Sequence, residues 1–321
     1  MKLATGLSLA IPAMLLAGAS QAADAPVVVT SIKPIHSLVS AIMEGVGTPE
    51  LIVDGAASPH TYNLKPSNAR VLQDAKVIFW VGPGLEAFLE KPLESLGANA
   101  TIAELEDAPG LVKLKFREGG AFEPHDDGDE AEAGHDHHAH AEGDHGHGEF
   151  DTHLWLDPMN AKAMATEITT TLVAADPANA LTYQANAKSL DDKLDALDKE
   201  ISDTVSPVKD KPFIVFHDAY QYFEHRYKVR VAGSITVSPE TIPGAERVSE
   251  IHEKVAGLGA TCVFAEPQFE PRLVNVVIEG TKAKAGVLDP EAATLEAGPD
   301  LYFTLMRGIA SSMKDCLSHE S

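Results

Sequence analysis

Short apolar runs rich in β-branched residues alternate with helical patterns along most of this 321-residue chain. Strands that alternate with helices form parallel sheets, because a parallel connection needs a crossover of helical length. The predicted strands of the first half are Val27–Ser31, Leu51–Val53 and Val77–Val81. The predicted strands of the second half are Phe213–Phe216, Cys262–Phe264 and Gly286–Leu288. The pattern therefore predicts an α/β fold of two lobes with parallel-rich sheets.

Helical patterns occupy segments between these strands. The predicted helices are 34–44, Ser67–Asp74 with Ser67 as N-cap, Met159–Ala175, Ser249–Leu258 and Arg272–Ala285. A further helix follows Pro177 and carries one apolar stripe, formed by Leu190, Leu194, Leu197, Ile201 and Val205. Residues spaced three or four apart form the buried face of a helix. We expect this helix (177–206) to connect an N-terminal lobe (24–176) to a C-terminal lobe (207–321). An ordinary packing helix is the alternative.

The N-terminus has the pattern of a secretory signal peptide. An apolar stretch, Leu3–Ala19, follows Lys2, and the small residues in Ser20–Ala23 suit signal peptidase. A transmembrane anchor is the alternative, but the stretch is short and is interrupted by glycine and proline. We therefore expect residues 1–23 to be removed and the mature protein to be soluble in the periplasm.

The net charge and the cysteine content argue against several classes of partner and site. The formal net charge of −23 argues against nucleic acid and anionic lipid as partners, since both repel an acidic protein. The two cysteines, Cys262 and Cys316, lack the CxxC spacing of redox and zinc-thiolate sites. In an exported protein, an even and low cysteine count predicts one structural disulfide.

The segment 118–149 differs in composition from the rest of the chain. It contains no Lys or Arg and is rich in Gly, Asp, Glu and His. Such a segment buries too little apolar surface to offset its ordering entropy, so we predict a disordered loop. Its histidines are candidates for weak, exchangeable metal binding, namely His125, His135, His137, His138, His140, His145 and His147.

Four other candidate ligands each lie just beyond a predicted strand or in a loop. They are His60, His153, His217 and Asp289, two from each predicted lobe. Ligands bind at the carboxyl ends of strands in open α/β sheets, so a cleft between the lobes would bring the four together. Each residue alone is weak evidence, because a single histidine near a strand usually makes structural hydrogen bonds.

Six segments occur in an order that resembles one protein family. They are SIKPIHSLVSAI, SPHTYNLKPSNARVLQDA, WVGPGLEAFLEKPL, HLWLDP, VFHDAYQYFEHRY and CVFAEPQF. Together with the acidic His-rich insertion before HLWLDP, they resemble the zinc-specific solute-binding proteins of bacterial ABC importers (the cluster A-I metal-binding family). The resemblance covers essentially the whole mature chain.

The resemblance implies two lobes joined by a rigid backbone helix, with zinc in the cleft between them. The positions that match the family's zinc ligands are His60, His153 and His217, and Asp289 matches a carboxylate ligand of related proteins. Some members carry a glutamate where this chain has Pro59, so the fourth ligand is expected to be Asp289 or water. Three imidazoles and one oxygen also make a normal zinc shell, whereas manganese prefers more oxygen ligands.

The function implied is that of a receptor, not an enzyme. We expect a monomer that captures Zn²⁺ and delivers it to an ABC permease and its ATPase, with other periplasmic zinc carriers as further candidate partners and the His-rich loop as an auxiliary zinc collector. A zinc hydrolase is one alternative, with Glu266 or Asp218 as general base, although no HExxH motif is present. A periplasmic zinc store that uses mainly the His-rich loop is the other.

Overall fold

The computed structural model describes residues 25–117, 122, 150–236, 239, 242–259 and 261–318. The predicted signal peptide and the seven histidines of the 118–149 segment lie outside these residues, as does His319. Within the described ranges, no helix combines the length and the apolar character needed to cross a bilayer.

The chain forms two four-stranded parallel sheets, each with helices packed against it. The first sheet has the order β2-β1-β3-β4, with β1 Val28–Thr30, β2 Glu50–Leu51, β3 Val77–Trp80 and β4 Thr101–Glu104. The second has the order β6-β5-β7-β8, with β5 Pro212–His217, β6 Arg230–Thr236, β7 Cys262–Ala265 and β8 Lys284–Val287. The second sheet thus repeats the strand order of the first, and the predicted two-lobe α/β fold is confirmed.

Nine helices lie in the described part of the chain. They are α1 Lys33–Ile42, α2 Pro66–Asp74, α3 Glu90–Leu96, α4 Pro158–Ala175, α5 Ala180–Val205, α6 Gln221–Tyr227, α7 Ala245–Leu258, α8 Arg272–Ile278 and α9 Leu301–Ser318.

The long helix α5 connects the two sheets along the chain. Its predicted stripe, from Leu190 to Val205, is buried. It packs against α1 and α4 from the first half and against α9 and α6 from the second half. These contacts on both sides support the expected bracing role of this helix. The exact lobe boundaries stay a prediction.

Two local predictions were wrong. The helix expected to reach Ala285 ends at Ile278, because Gly280 adopts a left-handed backbone (φ 72°) and the chain then enters β8. The predicted N-cap Ser67 lies inside α2, whose N-cap is Lys65; Pro66 occupies the first helical position, which its fixed φ suits.

One disulfide and two ion pairs also connect elements of the second lobe to other parts of the chain. Cys262 on β7 and Cys316 on α9 are disulfide-bonded, as predicted. Arg117, the last described residue before Phe122, forms ion pairs with Asp218 and Glu224 of the second half. The base of the His-rich segment is therefore tied to the second lobe.

Candidate metal centre

Three of the four predicted ligands meet between the two sheets. His60 lies in a 3-10 turn (Pro59–Thr61) after β2. His153 directly precedes another 3-10 turn (Leu154–Leu156), and the Asp157 carboxylate then caps the start of α4. His217 is the last residue of β5. In the described part of the chain, these three side chains form a group that could share a metal ion, with their nitrogens within 4.8 Å of one another.

Carboxylates fix the orientation of two of the imidazole rings. The Nδ1–H of His153 donates to Asp151 Oδ1 over 2.7 Å, and the Nδ1–H of His217 donates to both oxygens of Glu266 over 2.8 Å. A neutral imidazole has one donor and one acceptor nitrogen, so Nε2 of each ring carries the free lone pair. Metal-ligating histidines usually have such a partner on the other nitrogen.

The spacing of the Nε2 atoms suits zinc. His153 Nε2 lies 3.2 Å from His60 Nε2 and 3.2 Å from His217 Nε2. With Zn–N distances of about 2.0–2.1 Å, neighbouring nitrogens of a tetrahedral site are about 3.3 Å apart. Two lone pairs that face each other across 3.2 Å repel unless a cation or proton lies between them. The three rings are therefore arranged to bind a cation.

Burial separates the proton affinities of two of the histidines. Burial lowers the pKa of His60 well below its usual value, and the neighbouring His153 and His217 lower it further. Burial also acts to lower the pKa of His217, but the Glu266 carboxylate outweighs it, so that pKa is raised. At neutral pH, His60 is therefore neutral and ready to bind metal, whereas a metal ion competes with a proton at His217.

The fourth predicted ligand, Asp289, does not join this group. Its Oδ1 accepts hydrogen bonds from the backbone N–H groups of Glu291 and Ala293, and its Oδ2 accepts from Thr294 N. A carboxylate of the same loop that does approach an Nε2 atom belongs to Glu291, whose Oε1 is 4.0 Å from His60 Nε2. Burial, together with Glu266, Asp289 and Glu86, raises the pKa of Glu291 well above its usual value. A bound cation would reverse this effect, because it favours the charged carboxylate.

The carboxylates proposed for a hydrolase have other roles. Glu266 holds the Nδ1–H of His217, and Asp218 pairs with Arg117. Both carboxylates therefore have a structural partner beside the site. His36 also has a structural role, since its Nε2 lies 3.1 Å from Pro49 O. His252 likewise makes a structural contact, since its Nδ1 lies 3.0 Å from Val277 O.

Three functional side chains were missed at the sequence level or given another role. Asp151 lies two residues before His153, and Glu266 directly follows β7; both positions are visible in the sequence. Glu291 lies two residues beyond the predicted Asp289. Which of these two carboxylates faces the histidines depends on the loop conformation, which no spacing rule specifies.

Comparison with known proteins identifies the family of this chain. The family described as "Zinc-uptake complex component A periplasmic" has a model that matches residues 28–316. This chain belongs to that family. The members of this family are solute-binding receptors for zinc transport and not enzymes. The family's periplasmic location applies to this chain as well.

Individual known proteins are also similar to this zinc-uptake component A chain. "High-affinity zinc uptake system protein ZnuA" of Brucella suis biovar 1 (strain 1330) is 56% identical over 315 residues, or 94% of each chain. The protein of the same name from Yersinia pestis is 38% identical over 308 residues, or 95% of each chain. The periplasmic zinc binding protein TroA from Treponema pallidum is similar in fold, with a TM-score of 0.75 and 20% identity over 91% of this chain and 99% of that chain.

Proposed function

We propose that this chain is the high-affinity zinc receptor of an ABC importer. It captures Zn²⁺ in the cleft between its lobes and delivers the ion to a membrane permease and its ATPase. The observation that carries the proposal is that His153 Nε2 lies 3.2 Å from both His60 Nε2 and His217 Nε2, with the Nδ1–H of His153 and of His217 held by a carboxylate. The family assignment and the names of the relatives support the transport role.

We assign His60, His153 and His217 as zinc ligands and Glu291 as the fourth. Glu291 is 6% exposed, and its Oε1 lies 4.0 Å from His60 Nε2, whereas the oxygens of Asp289 are engaged by loop N–H groups. A modest rotation of the Glu291 side chain is enough to close the 4.0 Å gap to His60 Nε2. Asp289, in contrast, could bind only after its loop rearranged. Asp289 then supports the site without binding the ion.

The His-rich segment 118–149 serves as an auxiliary zinc collector. Its histidines lie in acidic sequence, where each metal-binding event must restrict a chain with little apolar content. Binding there is weak and exchangeable compared with that of the preorganised cleft. The segment starts directly after Arg117 and ends directly before Phe150, which lies three residues before His153, so zinc bound there has a short path to the cleft.

Zinc uptake in cells tests the proposal. In a bacterium whose own zinc receptor gene is deleted but whose permease and ATPase remain, the intact chain should restore ⁶⁵Zn uptake and growth in chelator-treated medium. His60→Ala should abolish both, whereas His225→Ala, at an exposed histidine outside the group, should not. Equal uptake with intact chain and His60→Ala would contradict the cleft as the transport site.

The same strain tests the role of the His-rich segment independently of the cleft. A chain that lacks 118–149 should support normal growth at moderate zinc and slower growth only at the lowest zinc concentrations. Unchanged uptake at every concentration would show that the segment is not a zinc collector and would leave the cleft assignment intact.

A further inference from the structure

The loop that carries Glu291 connects β8 to α9 and has an unusual backbone. Ala292 is fully buried and adopts a left-handed conformation, with φ 59°. This conformation is unfavourable for a residue with a Cβ, so the surroundings must hold it. The side chain of the preceding residue, Glu291, is the one that reaches the histidines.

Two charged side chains hold this loop by its backbone. The Asp289 carboxylate accepts from the N–H groups of Glu291 and Ala293. The Lys33 ammonium donates to three carbonyl oxygens, over 3.1 Å to Ala292, 3.1 Å to Ala293 and 2.8 Å to Leu295. The Asp289 carboxylate thus binds backbone N–H groups of the loop, and the Lys33 ammonium binds its backbone carbonyl oxygens.

Lys33 comes from the opposite half of the molecule. It is the first residue of α1, which follows β1 of the first sheet, and it is 5% exposed. An ammonium has three N–H donors, and the three carbonyls use them all. A buried ammonium is costly unless its donors are satisfied, so the loop and Lys33 stabilise each other's positions.

Other contacts join the same loop to the first lobe. Trp155 Nε1 donates to Pro290 O over 2.8 Å, and Ser37 Oγ donates to Pro299 O over 3.1 Å. Trp155 lies two residues after His153, and Ser37 lies one turn after Lys33 on α1. Although the loop follows a strand of the second sheet, its backbone is held by side chains of the first lobe.

We propose that Lys33 is a positioning residue that holds Glu291 at the zinc site from the opposite lobe. The inference rests on the proposed function, because it takes Glu291 as the fourth ligand. Glu291 then moves with His60 and His153, and His217 is the ligand that the second sheet alone carries. Separation of the lobes would withdraw His217 from the other three ligands.

A double-mutant cycle on the full mature chain tests this proposal. Zinc affinity is measured by competition with a chelator for the wild type, Lys33→Met, Glu291→Gln and the double variant. The absorption spectrum of bound Co²⁺ reports the ligand set in each. Loss of a group that supports a metal ligand typically lowers affinity about 10- to 100-fold. Lys33→Met should show such a loss and a Co²⁺ spectrum like that of Glu291→Gln, and the double variant should match Glu291→Gln alone.

A matched control removes a similar bond elsewhere. Lys211 Nζ donates to Leu317 O over 2.8 Å, at the end of β5 opposite to His217. Lys211→Met should keep wild-type zinc affinity and the wild-type Co²⁺ spectrum. If Lys33→Met does not fold, Lys33→Gln, which retains two N–H donors, takes its place in the same cycle.

The outcomes separate the two claims. Unchanged affinity and spectrum in Glu291→Gln would refute Glu291 as a ligand, and the Lys33 inference with it. A loss in Glu291→Gln without a loss in folded Lys33→Met would overturn the Lys33 inference alone. So would additive losses in the double variant, because Lys33 would then act through another ligand or through general stability.

Discussion

At the scale of single residues, two carboxylates set the orientation of two of the imidazoles. Asp151 and Glu266 each accept an Nδ1–H, so Nε2 of His153 and of His217 faces the other histidines. The two carboxylates also orient the rings before any ion arrives, which reduces the entropy lost on binding. For His217 the same contact raises the pKa.

Proton release on zinc binding should therefore depend on Glu266. In the wild type the raised pKa of His217 means that zinc displaces a proton there near neutral pH, and affinity falls as pH drops through that pKa. Glu266→Gln keeps an oxygen for the Nδ1–H but removes the charge, so proton release should move to lower pH. Affinity at pH 8 should fall about 10- to 100-fold.

Calorimetry in buffers of different ionisation enthalpy, from pH 6 to 8, measures this release directly. Glu279→Gln, at an exposed glutamate beyond α8, is the matched control and should behave like the wild type. A Glu266→Gln profile that superimposes on the wild type would show that Glu266 does not set the protonation of His217.

Sequence alone predicted the histidines because each follows a strand or lies in a distinctive segment, and the resemblance then selected them. It did not predict which acidic residue faces them. Asp289 and Glu291 are two residues apart, and the left-handed Ala292 turns the loop so that Glu291 reaches the histidines. A backbone conformation maintained by Lys33, more than 250 residues away along the chain, leaves no local signal.

At the scale of elements, α5 is where the sequence was most informative. Five apolar residues at helical spacing predicted one buried face, and all five are at most 2% exposed. Other elements gave weaker signals. The β6 strand was not predicted, and its run contains Gly233, a residue that is uncommon in strand interiors. The helix α9 was also not predicted, although it supplies one cysteine of the disulfide.

The packing of α5 makes a stability prediction. Leu197 is fully buried in the stripe, so Leu197→Ala should lower the free energy of unfolding by about 2–5 kcal/mol. Leu181 lies on the same helix but is 83% exposed, and Leu181→Ala should change it by less than about 0.5 kcal/mol. Denaturant unfolding of zinc-free protein measures both. Similar small effects from the two substitutions would mean that α5 does not brace the lobes.

At the scale of the whole molecule, zinc would bind where two sheets with the same strand order face each other. Of the proposed ligands, His60 follows β2, His217 ends β5 and Glu291 follows β8, so these three lie at carboxyl ends of strands, as in other open α/β sheets. Several carboxylates are also buried near this cleft. Burial raises the pKa of Glu86 to about 7, although its oxygens accept hydrogen bonds from Val81 N and Gly82 N.

Glu86 should make the zinc-free protein less stable as pH rises. Its folded pKa is about 7 and its ordinary value is 4.5, so its contribution to stability is fully present below pH 4.5 and is lost as pH rises through about 7. The loss corresponds to about 3 kcal/mol. Relative to Glu86→Gln, which does not ionise, the wild type should lose that stability between about pH 4.5 and 7. Unfolding curves of both proteins with chelator present measure the difference, and parallel pH dependences would contradict the buried, protonated state of Glu86.

The measurement that tests the cleft most directly is a zinc titration of the mature protein at neutral pH with a competing chelator. It compares the intact chain, a chain lacking 118–149 and His60→Ala in that shortened chain. We predict one tight site that survives the deletion and is lost with His60→Ala. Loss of tight binding on deletion of 118–149 alone would contradict the cleft assignment and would favour a zinc store in the His-rich segment.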